Sequence, residues 1–223
     1  MISRLPGWVE YGALILAFIA GSVNAVGLMG FEHQAVSHMS GITTMLGTGI
    51  LTPDFPVLMH LMAIIVSFII GAAISGIILH GTTLKLGGRY GIALYVECAL
   101  LLGASFLLLR MDNAGHYLAS AACGLQNAMA TTYSGAVVRT THMTGLFTDL
   151  GIMIGSRFRG EPFESRRAIL YLLIITGFLA GGTAGAWLFL QIGFHALTVA
   201  AILCFVAAFG YRVTRRFWEG AAA

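Results

Sequence analysis

The sequence predicts an all-α polytopic membrane protein: six transmembrane helices arranged as two inverted three-helix repeats, each with a re-entrant or half-membrane polar segment. Three observations lead there. Of its 223 residues 58% are hydrophobic and only 9% charged, whereas a soluble domain carries about a quarter charged residues. Six apolar runs each come near the roughly 20 residues that cross a hydrocarbon core. Finally, the phrase "SHMSGITTMLG" at 37–47 returns as "THMTGLFTDLG" at 141–151.

The first run, about 11–30, follows a basic start and ends in small residues, which is also the outline of a signal peptide. Its full length and its copy of the repeat mark it as a span. Runs at about 56–79 and 90–109 follow, and with the phrase at 37–51 they complete repeat one, residues 1–110. Repeat two, 111–223, holds spans at about 116–133, 169–190 and 194–211 and its phrase at 140–156. The fourth span is the least apolar, because Ser120, Gln126 and Asn127 interrupt it, so it is expected to face protein. Neither phrase can cross alone: a helix from Ile42 to Leu51 rises about 15 Å, half the core.

Charge fixes the orientation. Arg4, Lys85, Arg89, Arg139, Arg157, Arg159, Arg166, Arg167, Arg212, Arg215 and Arg216 all fall on one side of the six-span arrangement, and only Arg110 falls on the other. Cytoplasmic loops collect Lys and Arg, so both termini are expected in the cytoplasm. The basic rim accounts for the net charge of +3 without any nucleic-acid partner, and it suits contact with the lipid bilayer. An eight-span alternative would put Lys85 and Arg89 outside, against the same rule. Cys98, Cys123 and Cys204 lie inside spans at spacings that match no metal or redox motif, and read as small core residues.

The repeat extends beyond the phrase. "GSVNA" (21–25) aligns with "GLQNA" (124–128), and "FIIGAAISG" (68–76) with "FLAGGTAGA" (178–186). The offset grows from 103 at Asn24 and Asn127, to 104 at His38 and His142, to 110 at Gly71 and Gly181, the last step absorbed by the basic segment "SRFRGEPFESRR". Ser67, Gly71 and Ser75 correspond to Gly177, Gly181 and Gly185, small residues at four-residue spacing that let helices approach closely. Three crossings per repeat is an odd number, so the second repeat enters from the opposite side, as in many transporters.

With "GLQNA", "VVRTTHMTGLFTDLG" and "SHMSGITTMLG" in order, nearly the whole chain resembles the bacterial YoaK-type transmembrane family, a domain of unknown function. The resemblance implies a six-span protein of the bacterial inner (plasma) membrane and no established substrate. Ile42, where Asn is usual, and Asn24, where Asp is frequent, depart from the family pattern.

Non-helical backbone at membrane depth persists only where protein buries it or water lines it. Ser40-Gly41 and Thr144-Gly145 each break helix and expose amides at the start of a half-helix. Two such starts meeting near the midplane would favour an anion. The expected solute-binding set is therefore Asn24, His38, Ser40, Gly41, Thr43, Thr44, Asn127, Arg139, Thr141, His142, Thr144, Gly145, Thr148 and Asp149. The same hydroxyls could instead bond to their own helices. Arg139 is the candidate for gripping a carboxylate, unless it pairs with Asp149 and braces the turn. Glu97, a carboxylate well inside a span, is the candidate proton-coupling site.

His33, His60, His116 and His195 fall on the external side, but none forms an i, i+4 pair, so no metal site and no cofactor is expected. No nucleotide-binding loop, nucleophile elbow or HExxH motif is present, and no catalytic residue is assigned. The expected function is a transporter or channel for a small polar, anionic metabolite. One alternative is an intramembrane enzyme, with His38, His142, Glu97 and Asp149 converging at a wet cavity. The other is a structural or assembly protein with a dry core. Small-residue faces on spans two and five permit a homodimer.

Overall fold

The computed structural model describes residues 7–30, 36–51, 54–80, 89–133 and 139–221; Arg4, Glu32, His33 and Lys85 lie outside them. The described residues form eight α-helices and no strand: α1 (Gly7–Gly30), α2 (Met39–Gly49), α3 (Phe55–Ile78), α4 (Arg89–Leu109), α5 (Ala114–Tyr133), α6 (Met143–Phe158), α7 (Ser165–Ile192) and α8 (His195–Ala221). Five of them, α1, α3, α4, α7 and α8, are long and apolar enough to cross a membrane. The fourth expected span, α5, is not. It carries His116, Ser120, Gln126 and Asn127, and its buried residues include the first three of these. Burial against protein lets a span keep polar groups that lipid would reject.

Local chemistry sets the boundaries. The Asp54 carboxylate accepts the Val57 amide N–H at 3.4 Å and Pro56 sits in the first turn, so α3 starts there. Asp112 accepts the Ala114 amide at 2.8 Å and starts α5 in the same manner. Between α7 and α8 the chain turns in two residues, which Gly193 allows by adopting φ 58°. The two phrases form the two short helices. At 1.5 Å per residue, the 11 residues of α2 reach about 16 Å and the 16 of α6 about 24 Å, both short of a bilayer core.

Helix pairing crosses between the halves of the chain. α1 packs on α7 and α3 on α5, while α4 packs on α8. The small residues decide the first two contacts. A Cβ on Gly181 would fall on the carbonyl oxygen of Phe18, and one on Gly71 on that of Ala121; Phe18 and Ala121 are 103 apart, the offset of the repeat. Likewise Gly21 meets Phe178 and Gly124 meets Phe68. Such backbone contact is how helices gain dispersion energy without a hydrophobic driving force between them.

The pairs also have a direction. Contacts of His60 with His116, Ser120 with the Ile64 carbonyl and Gly124 with Phe68 advance together, so α3 and α5 run parallel. Contacts of Glu10 with Arg166, Leu14 with Gly177 and Ser22 with Gly185 make α1 and α7 parallel too. α4 and α8 are antiparallel, from Ser105 bonded to Thr198 at one end to Tyr90 against Tyr211 at the other.

Candidate functional site

The two phrases dock alike. Ile42 of α2 is buried with Leu61 and Ile64 of α3, and Leu146 of α6 is buried with Leu170, Tyr171 and Ile174 of α7. His38 and His142 are the N-cap residues, with φ/ψ of −90/69° and −91/59°. Neither ring caps its helix. Each folds over the first turn, where a Cβ on Gly41 or Gly145 would strike it. The glycine of each Ser/Thr-Gly pair thus makes room for a histidine.

The hydroxyls mostly turn inward on their own helices. Thr43 donates to the Met39 carbonyl (2.7 Å), Thr44 to Ser40 (2.9 Å) and Thr148 to Thr144 (2.9 Å). Ser40 and Thr144 are exposed, and Thr141 is half-buried. The two half-helices do not meet: α2 packs on α3 and α6 on α7, and no contact joins α2 to α6. The two helix starts that were expected to meet are thus not in contact with each other. Each short helix carries its apolar stripe on the flank of its own half's long helix, and that stripe decides where it docks.

The charges of the second phrase are placed differently from expectation as well. Asp149 accepts from the Tyr171 hydroxyl (2.7 Å) and from Arg167 (3.3 Å), not from Arg139. Arg167 in turn donates to Tyr171 (2.8 Å). Helical geometry brings Asp149 of α6 beside the first turns of α7, whereas Arg139 precedes α6 and is exposed.

Buried polar contacts lie instead on α1, α4 and α5. Glu97, 2% exposed, accepts from Gln126 Nε2 at 2.9 Å, and Gln126 Oε1 accepts from Thr140 at 3.2 Å. A chain of side chains therefore joins the carboxylate in the middle of α4 to the residue next to phrase two. On the other half, Asn24 Oδ1 accepts both the amide (3.3 Å) and the hydroxyl (2.7 Å) of Ser37, next to His38. Asn127 Oδ1 is buried with no partner among the described residues.

One constellation was absent from the sequence reading. A cavity of about 350 Å³ opens between the ends of α1, α3, α4, α5 and α8, and His60 and His116 line it. Their rings are bonded, His60 Nε2 to His116 Nδ1 at 3.2 Å, and His60 Nδ1 meets the Tyr117 hydroxyl at 2.9 Å. The two histidines are 56 residues apart, so no short motif announces them. The signal available was the small-residue seam that aligns α3 with α5. Among the described residues no group of three or more His, Cys, Asp or Glu could hold a metal ion.

The apolar helices and their buried polar seams define an integral membrane protein of helical class. Residues 12–210 match the family described as a protein of unknown function (DUF1275), and the chain belongs to that family. No curated protein and no solved structure matches it.

Proposed function

We propose that the protein is a secondary transporter of a small, polar, anionic metabolite, built from two inverted repeats and crossing the bacterial inner membrane six times. The observation that carries it is the buried chain Glu97–Gln126–Thr140. An ionisable group held in a membrane interior is costly, and the usual return is a proton or solute pathway. Here the chain leads from that group to the base of phrase two.

The sixth crossing is α5. It runs beside and parallel to α3, which is apolar enough to span, so it covers the same depth. The inversion draws on the matched contacts Gly21–Phe178 and Gly124–Phe68, with the basic residues assigning phrase two to the cytoplasm. Solute contact is assigned to the residues at the base of each short helix: Asn24 and His38 on one side, Asn127, Arg139, Thr141 and His142 on the other. Glu97 is the coupling group.

The test is flux into proteoliposomes of purified protein, over a panel of small organic anions, with and without an inward proton gradient. Saturable uptake stimulated by the gradient, with the stimulation lost in Glu97→Gln, is the expected result. If nothing in the panel moves under either condition, the reading fails.

A further inference from the structure

We propose that the cavity beside His60 and His116 is a binding site for a small monocarboxylic acid with an apolar body. The cavity shares no residue with the solute contacts assigned above, so it is a second site for the same solute; as to transport it rests on that reading, and binding itself stands on the cavity alone.

Volume and lining suggest the class. About 350 Å³ lies at the small end of ligand pockets. Pro56, Val57, Leu108 and Phe194 give apolar walls, suited to a hydrocarbon body and unsuited to a sugar or a polyol. The polar side chains of the lining are the bonded imidazoles of His60 and His116 together with Asp112 and Asn113. Each ring nitrogen of His60 is engaged, one with Tyr117 and one with His116. Two rings in contact resist carrying a charge each, so the pair takes up at most one proton as a unit. A carboxylate beside it stabilises that single charge, and acid and proton then bind together.

The surroundings bear on the sign of the charge. α2 packs on α3 with apolar side chains near the pair, and His38 at its start is exposed. α1 contributes only Gly30, α4 contributes Leu108, and α8 begins with exposed His195 beyond Phe194. Asp54 caps α3, and Arg110 is stacked on Phe106, 4.1 Å from its ring centre. Among the described residues the one carboxylate lining the cavity is Asp112, which spends an oxygen on the Ala114 amide. It opposes an anion and would attract a cation, so its removal distinguishes the two.

The experiment is calorimetric titration of the full-length protein in nanodiscs with butyrate and benzoate, with butyramide and with Ni²⁺. The expected result is saturable binding of the acids that tightens as the pH falls, because the acid and its proton bind together. Butyramide should bind about tenfold or more weaker, the loss of a charge-assisted bond. His60→Gln/His116→Gln should abolish the pH dependence. Asp112→Asn, which keeps the cap, should tighten acid binding a few-fold, and it covers the case in which the double variant does not fold.

The proposal is overturned if the acids do not bind saturably, if butyramide binds equally well, if Asp112→Asn weakens acid binding, or if Ni²⁺ alone occupies the site. Binding without flux sinks the transport reading and leaves the site standing; flux of these acids without binding here does the reverse.

Discussion

The two copies of the repeated phrase share a shape and differ in how they are held. α2 docks on α3 through apolar contact alone, Met39, Ile42 and Leu46 against Leu61, Ile64 and Ile65. α6 repeats that stripe with Met143, Leu146 and Leu150, then adds Asp149 bonded to Tyr171 and Arg167. The repeat aligns Met45 with Asp149, Val57 with Arg167 and Leu61 with Tyr171, so the polar attachment has no counterpart on the first copy. The docking is alike in the two copies, and the second half-helix has a polar latch that the first lacks. On α3, which carries α2, the polar ring contact lies elsewhere, where His60 meets His116 of α5 at the cavity.

The largest effect should fall where the halves are most alike. Gly71→Leu and Gly181→Leu each drive a side chain into a backbone carbonyl, at a cost of about 3 kcal/mol or more. Gly76→Leu, with open space at its Cβ, should be tolerated. Thermal unfolding in detergent measures all three, and unequal losses at Gly71 and Gly181 would break the equivalence of the two seams.

Next comes the latch. Tyr171→Phe removes the shortest bond to Asp149 and should loosen α6 by about 1–2 kcal/mol. Amide hydrogen exchange should then speed along α6 and stay unchanged along α2; faster exchange in both would mean that α6 has no attachment of its own.

Gly41→Ala and Gly145→Ala should each displace a histidine ring at about 1 kcal/mol, alike in the two copies. The N-cap histidine signals in NMR spectra would report the displacement, and an unmoved ring in either variant would remove the reason given for that glycine. Smallest of all, Thr44→Val and Thr148→Val lose only a bond to their own helix and should change stability by less than about 0.5 kcal/mol. A fall in flux without such a change would assign the hydroxyl to the solute.

What the sequence disclosed follows the range of the interaction. The seams were legible because Gly71 and Gly181 recur at fixed spacing within helices, and small residues at that spacing have one main use. The short helices were legible as segments that cannot cross. The partner of Asp149 was not, because Arg139 and Arg167 are both near in sequence and only the docking of α6 on α7 selects the second. The His60–His116 contact was hidden because the small residues of α3 and α5 mark a seam in each helix without saying which two helices share it, and only that pairing sets the register.

The central claim is that two like segments serve one membrane from opposite faces, and thiol accessibility tests it most directly. Thr44 and Thr148 are exposed, whereas Cys98, Cys123 and Cys204 are buried, so an introduced cysteine reports against a quiet background. With a membrane-impermeant maleimide, Thr44→Cys should label in intact cells and Thr148→Cys only in inside-out vesicles. Labelling of both from the same face would contradict the account.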